Sequence, residues 1–356
     1  MNKIRVGVLG ATGAVGQRFA QLVADHPYFD LQVLAASVRS AGKSYREATN
    51  WILTDPMPES LADMTVQPMS TDLNCPYLFS ALPTEQAKEW ESKLAGAGYG
   101  IFSNAGAHRM DEDVPLLIPE VNPDHLQLLE VQRAKRGWSE GFIVTNPNCT
   151  SIPVTMALAP LHAKYGVESA ITTSMQAASG AGYPGVPSLD LLDNLLPFVA
   201  ESEEVKMGSE PNKMLGSLTN GKVEQAGITI SAHCNRVPVT DGHTVTVSAK
   251  FRQKISLDEI LETWQTWRPL PQQLDLPWAP QPPLVVRSEQ NRPQPRLDRD
   301  EGRGMAAVIG RLRPCEVLDV RFVCLAHNTI RGAAGGSVLN AELMYSQGML
   351  GNGSRE

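Results

Sequence analysis

Residues 4–16 constrain the fold more than any other stretch. Ile4-Arg-Val-Gly-Val-Leu9 is short and largely apolar, which reads as a strand. Gly10-Ala-Thr-Gly-Ala-Val-Gly16 follows, and residues 17–25 then carry a helical period. A strand that turns through closely spaced glycines into a helix lets the backbone approach a pyrophosphate, whose charge rests on the helix N-terminus. Gly10, Thr12, Gly13, Ala14, Val15 and Gly16 are therefore candidate dinucleotide contacts. The spacing is GxxGxxG, not the stricter GxGxxG, so by itself it also fits a tight turn without a ligand.

The alternation continues. Residues 31–36, 77–82, 99–103 and 141–145 read as strands, with a helix over 84–96. Strands alternating with helices give a Rossmann-type, doubly wound parallel sheet, and the pattern holds to about Asn148. An NAD-specific fold of this kind places a carboxylate at the end of its second strand. This chain has none there. It offers Ser37, Arg39, Ser40 and Lys43, hydroxyls and cations suited to a 2′-phosphate, so the expected cofactor is NADP(H). A solvated basic loop is the plain alternative.

Beyond Lys164 the character changes. Residues 169–177, 227–234, 244–251 and 317–324 read as longer strands, and 225–252 as two strands around a turn at Asp241-Gly242. A mixed sheet, hence an α+β second domain, is expected. Residues 268–296 are dense in Pro, Gln and Arg and read as a surface excursion; a helix is expected near 332–348. A length of 356 residues accommodates two such domains.

The net charge of −7 argues against a nucleic-acid or anionic-membrane surface. Five cysteines without a CxxC pair or zinc-like spacing fit free thiols in a reducing compartment and no metal site. The chain enters its first strand directly after Met1-Asn-Lys3, leaving no room for a signal peptide, and no apolar run suffices to span a membrane. A cytoplasmic protein is expected, with a frayed tail over 351–356.

The chemistry centres on Thr145-Asn-Pro-Asn-Cys-Thr-Ser151. Cys149 stands between a strand and a helix period over 152–164, where unpaired N–H groups and the positive dipole end lower a thiol's pKa. An inert, space-filling cysteine fits the same stretch. A cysteine nucleophile needs a proton carrier, and His243, just after the Asp241-Gly242 turn, is the best placed of seven histidines. Arg236 could clamp a carboxylate or make a surface ion pair. Arg109 and Lys213 could bind a phosphate, and Pro211 suits the first position of a helix with Glu210 beside its positive end.

Together these stretches resemble the aspartate-semialdehyde dehydrogenase family, in its archaeal and fungal branch. The resemblance runs through GATGAVGQRF at 10–19, SVRSAGKSY at 37–45, SNAGAHRM at 103–110 and TNPNCTS at 145–151. It continues through MQAASGAGYPGVPSLDLLDN at 175–194, CNRVPVTDGHT at 234–244, PQPRLDRD at 293–300 and AHNTIRGAAGGSVLNAEL at 326–343. It implies reductive dephosphorylation of L-aspartyl 4-phosphate by NADPH through a thioester on Cys149, with His243 as acid and base and Gln176 orienting the acyl group. Arg236 and Glu210 would hold the substrate's α-carboxylate and α-amine. Arg109 and Lys213 would hold phosphate, beside Asn148. Ser179, Gly180, Asn328 and Gly332 would line the nicotinamide side. The resemblance also implies a dinucleotide-binding domain over 1–148 completed by a helix at 329–348, a catalytic and dimerisation domain over 149–328, and a homodimer or homotetramer. A malonyl-CoA-type acyl-CoA reductase shares the cysteine and NADPH. An N-acetyl-glutamyl-phosphate reductase usually carries Gly where Asn148 stands. A non-catalytic NADP-binding sensor would not need Cys149, His243, Arg236 and Gln176.

Overall fold

The structure, a computed structural model, describes residues 3–351; the expected frayed tail therefore lies outside the described residues, apart from Gly351. The first half forms the expected parallel sheet. Its strands are β1 (Ile4–Leu9), β2 (Phe29–Ala36), β3 (Gln67–Pro68), β4 (Tyr77–Ser80), β5 (Gly100–Ser103) and β6 (Phe142–Thr145). They lie in the order β3-β2-β1-β4-β5-β6, every pair parallel. Strand order reverses between β1 and β4, where such sheets open a crevice at their carboxyl ends.

The helix after β1 spans Ala14–Val23, starting earlier than its apolar period suggests because Gly13, in extended conformation, caps it. Gly16 thus lies inside the helix. Gly10 takes φ +70°, and a Cβ on it would stand 2.8 Å from the Ala81 carbonyl oxygen, so the tight turn requires glycine there.

The second half forms a mixed sheet of β7 (Val167–Gln176), β10 (Thr229–Arg236), β11 (His243–Phe251), β12 (Leu284–Arg287), β13 (Ala307–Pro314) and β14 (Val320–Ala326). A separate hairpin joins β8 (Ser217–Thr219) to β9 (Lys222–Glu224). The order is β10-β7-β11-β14-β13-β12. The expected hairpin between β10 and β11 does not form. β7 lies between them, parallel to β10 and antiparallel to β11. The turn signal at Asp241-Gly242 is real, with Gly242 at φ +101°, but the link 237–242 crosses over the end of β7. Val237 N–H donates to Gln176 O, and Ala178 N–H to Val239 O.

This topology brings four strand ends to one edge. β7 finishes at Gln176 and β10 at Arg236, paired in register; β11 begins at His243 opposite Ala326, where β14 finishes.

The segment 268–296 is more than a surface excursion. Leu284 is buried in an edge strand that pairs with β13, and Leu276 and Ala279 join the core of the first sheet. The helix Gly335–Ser346, preceded by a wide turn over Ile330–Ala334, also packs there; Val338, Leu339 and Leu343 share a core with Phe19, Phe79 and Phe102. The helix Ser151–Tyr165 is apolar on all sides, buried from Ser151 to Leu161, and forms the core beneath the second sheet.

Candidate active site

Cys149 sits just ahead of the helix Ser151–Tyr165, for which Thr150 is the N-cap residue. Asn148 shapes the turn: its Oδ1 accepts from Thr150 N–H at 2.9 Å and its carbonyl from Ser151 N–H at 3.0 Å. Cys149 keeps partial exposure. The expected lowering of its pKa is not found. Burial first, then the Glu203 carboxylate, pushes the thiol up to about 11, against the opposing pull of Arg109 and Arg236. A helix start favours a thiolate only where desolvation does not outweigh it. Gly332, in the wide turn, seats directly on this residue: a Cβ there would lie 2.7 Å from Cys149 Cβ.

At the convergent strand ends, the backbone of one residue holds two side chains. Ala177 N–H donates to His243 Nδ1 at 3.0 Å, and Arg236 Nη1 donates to Ala177 O at 2.7 Å. With Nδ1 accepting, the neutral ring carries its proton on Nε2, which makes no hydrogen bond among the described residues. Burial, and then Arg236 and His327, hold the imidazole neutral, its pKa pushed down to about 3. Gly180 leans on both groups. A Cβ there would stand 2.8 Å from Arg236 Nη1 and 3.0 Å from His243 Nε2. Asn328 fixes the turn before His243, accepting from Gly242 N–H at 2.8 Å and donating to Ser179 Oγ at 2.8 Å.

The helix Glu203–Met214 forms the opposite wall. Pro211 is inside it, not at its first position; the helix begins earlier, with Glu203 and Glu204 in its first turn. Glu210 Oε1 pairs with Arg109 Nη1 at 3.1 Å, and Oε2 accepts from Asn148 N–H at 2.6 Å. The Lys213 ammonium donates to the carbonyls of Arg109, Asp111 and Val114 at 2.8, 2.7 and 2.8 Å. Burial lowers its pKa to about 8. All three of its protons are thus committed to the loop that carries Arg109, so a phosphate would reach it only by replacing one of these bonds.

Sequence reasoning missed Glu203. Its carboxylate accepts from Asn148 Nδ2 at 3.0 and 3.2 Å and from Lys206 Nζ at 2.9 Å, with Gln176 Nε2 at 3.5 Å. An acid in the first turn of a helix is ordinary, so only its spacing from the acid at 210, two helical turns on the same side, hinted at a shared cleft.

A cavity of about 390 Å³ separates the two sheets. Ala14 and Arg18 line it from the first helix, Ser179 and Gly182 from the loop after β7, with Asp241 and Thr329. The N-terminus of the helix Ala14–Val23 has no acidic residue in its first turn and no side-chain cap, leaving donors for an anion. Ser37, Arg39 and Lys43 are exposed and Ser40 half-buried in the turn after β2. This donor set and the crevice fit a dinucleotide with a 2′-phosphate. Among the described residues, no group of three His, Cys, Asp or Glu side chains could hold a metal ion, and no helix is long and apolar enough to cross a membrane.

Residues 5–129 match the model for a semialdehyde dehydrogenase NAD-binding domain, and residues 158–331 that for a semialdehyde dehydrogenase dimerisation domain. The chain is 50% identical to the aspartate-semialdehyde dehydrogenase of Archaeoglobus fulgidus, over 96% of this chain and 98% of that protein. It is 44% identical to that of Aspergillus fumigatus, over 98% and 99%. Among solved structures it is similar to the aspartate semialdehyde dehydrogenase with NADP from Candida albicans. That match has a TM-score of 0.90 and 38% identity, and covers 98% of this chain and 100% of that one.

Proposed function

The chain belongs to the aspartate-semialdehyde dehydrogenase family, and from that membership we propose how its residues divide the work. The protein is an NADP-dependent oxidoreductase of the aspartate pathway, converting L-aspartyl 4-phosphate to L-aspartate 4-semialdehyde and phosphate. NADPH, when bound, supplies the hydride.

Cys149 Sγ attacks the acyl carbon of the substrate; the carbon–oxygen bond to phosphate breaks, and a thioester remains on the enzyme. Addition of hydride to the thioester carbon leaves an alkoxide that needs a proton, and collapse of the resulting thiohemiacetal returns the sulfur and frees the aldehyde. His243 exchanges protons at Nε2, the ring nitrogen without a partner among the described residues. In the free enzyme that nitrogen is a donor, suited to the developing oxyanion. Taking the thiol's proton requires the ring to release the Ala177 N–H from Nδ1. Gln176 and Asn148 orient the acyl group, and Arg236 takes the α-carboxylate. Arg109 receives the phosphate, with Lys213 holding its loop, and Glu210, which pairs with the Arg109 guanidinium in the free enzyme, takes the α-amine. Gly10 to Gly16 bind the cofactor's pyrophosphate and Ser37 to Lys43 its 2′-phosphate, and Ser179, Gly180, Asn328 and Gly332 flank the nicotinamide.

One observation carries this reading: Gln176, Arg236 and His243 end or begin neighbouring strands on one edge, where Gly180 packs on the last two. We also propose that residues 1–148 and 329–348 form the cofactor unit and 149–328 the catalytic and pairing unit. A homodimer or homotetramer in the cytoplasm is the proposed state. Exposed Ile171, Leu189, Leu192, Leu195, Phe198 and Val205 supply apolar surface for pairing.

The test is reverse turnover: aspartate 4-semialdehyde and NADP with phosphate or with CoA. Phosphate-dependent NADPH formation that Cys149→Ala abolishes is expected. Turnover with CoA alone, or full activity in Cys149→Ala, overturns the reading.

A further inference from the structure

One fully buried acid has no part in the reaction scheme above. Glu91 stands in the helix Thr84–Gly96. Its Oε1 accepts from Ser103 Oγ at 2.7 Å, at the carboxyl end of β5. The Ser103 hydroxyl oxygen in turn accepts from Ala105 N–H at 3.1 Å, which closes a turn around Asn104. Asn104 N–H donates to Ser80 O at 3.0 Å, at the end of β4. Asn104 then reaches both halves of the site. Its carbonyl accepts from Arg109 Nη2 at 2.9 Å, and its Oδ1 from Asn146 Nδ2 at 2.9 Å, in the turn that carries Cys149. Burial pushes the pKa of Glu91 up. Glu91 Oε2 and the neighbouring Ser80 Oγ each lack a partner among the described residues, and a protonated acid serves both.

We propose that Glu91 is a positioning residue for the phosphate site, holding Ser103 so that Asn104 aims the Arg109 guanidinium. This deepens the function proposed above and rests on it. A guanidinium is a rigid plane, so the bonds on its two terminal nitrogens set the direction of the third. In the free enzyme Nη1 pairs with Glu210 and Nη2 with Asn104 O, while Nε is buried without a partner among the described residues. Once Glu210 turns to the substrate's amine, the Asn104 carbonyl is the contact left to keep that plane aimed. Asn104 is held only as firmly as its turn. Ser103 has one hydroxyl proton, and Glu91 takes it. Without the acid the hydroxyl is free to rotate away from Ala105 N–H. A loosened turn shifts Arg109 first. The cysteine turn keeps a second brace, because Ser337 Oγ, on the C-terminal helix, donates to Asn146 Oδ1. The loss therefore falls on phosphate more than on the acyl group.

The experiment uses the whole enzyme in the reverse direction, with aspartate 4-semialdehyde, NADP and inorganic phosphate. In Glu91→Leu, kcat/KM for phosphate should fall about tenfold or more, with KM for the semialdehyde changed by no more than about twofold. Glu91→Gln, which keeps an uncharged hydrogen-bonding group of the same shape, should bring the phosphate value back to within about threefold. Arg109→Met supplies the reference. In that background Glu91→Leu should cost nothing further, because the group it positions is gone, whereas a general weakening of the fold would add its full cost again. Equal losses for phosphate and semialdehyde in Glu91→Leu, or additive losses in the double variant, overturn the proposal. So does a Glu91→Gln protein as impaired as Glu91→Leu. Should Glu91→Leu not fold, Ser103→Ala takes its place: no selective loss for phosphate defeats the proposal. If Arg109→Met leaves phosphate kinetics intact, the site assignment fails and this proposal falls with it. Absence of phosphate-dependent turnover in the unaltered enzyme counts against the function itself, and against the proposal built on it.

Discussion

Replacing Gly332 by alanine tests whether the C-terminal turn sets the position of Cys149, the proposed nucleophile. The new methyl would lie 2.7 Å from Cys149 Cβ and 3.1 Å from its Cα. Carbon atoms rest at about 3.5–4.0 Å, so the two segments must part by about 1 Å. Neither can yield freely. The wide turn is tied down by Arg331, whose guanidinium makes a two-pronged ion pair with Glu120 at 2.7 Å on each arm, both side chains buried. Cys149 is held from the other side by the Asn148 turn and by Glu210 on the Asn148 N–H. Overpacking of this kind costs about 1–3 kcal/mol of stability, and a displacement of about 1 Å at a reacting atom costs roughly a hundredfold in rate. Gly332→Ala should therefore remain folded, with a slightly lower denaturation midpoint. Its kcat/KM for aspartate 4-semialdehyde should drop by about two orders of magnitude, with a matching loss in the pre-steady-state burst. The assay pairs denaturant unfolding with stopped-flow turnover. Near-normal turnover in a stable Gly332→Ala protein would show that the sulfur does not depend on this contact.

Three further outcomes follow from the same structure. The Cys149 thiol, raised to about 11 in the free enzyme, is protonated at neutrality, so alkylation by iodoacetamide should accelerate about tenfold per pH unit from neutrality upward; a plateau reached near pH 8 would contradict this. Arg39→Ala should raise KM for NADPH by about tenfold or more and spare NADH, measured by initial rates; equal losses refute a 2′-phosphate contact. Arg331→Met leaves Glu120 charged and buried and should cost about 3–5 kcal/mol in urea unfolding, while Arg331→Met combined with Glu120→Leu should recover much of it.

The first sheet was legible because its strands alternate with helices, even though β1 reaches its partner β4 only across the span from Leu9 to Tyr77. The alternation of β and α stretches then implies topology. The second sheet was harder for a physical reason. β10 and β11 carry the correct strand periods and a genuine turn residue, Gly242, between them. Local pattern cannot reveal that β7, more than fifty residues earlier, separates them. β12 was hidden because proline-dense flanks at 280, 282 and 283 suggest a loop even where Leu284 is buried. At the site, Cys149, His243 and Arg236 stood out because each lies at a break between periods. Glu203 did not, since a helix-capping acid and a cleft acid share the same local pattern. The direction of the thiol's pKa was misread likewise: the helix start is visible in sequence, and the burial that outweighs it is not.

The scatter of these residues along the chain has one cause. A lone β-hairpin would bring Arg236 and His243 together but leave a flat edge beyond them. Inserting β7 puts Gln176 between them and makes the 237–242 link pass over the end of β7, where Ser179 N–H donates to Thr240 O. The loop after β7 is thereby fastened to the link, and Gly180 is pressed onto both side chains from above. β14, arriving antiparallel to β11, delivers Asn328 to clasp that same loop through Ser179 and the turn through Gly242. Imidazole, guanidinium and amide therefore stand on rigid strand ends, while the cysteine comes from the other sheet, at the end of β6. The proposed reacting centre exists only where the two sheets face one another, and the chain can hold the Cys149 turn in that gap because its C-terminal segment, having left β14, returns to the first sheet by way of Gly332.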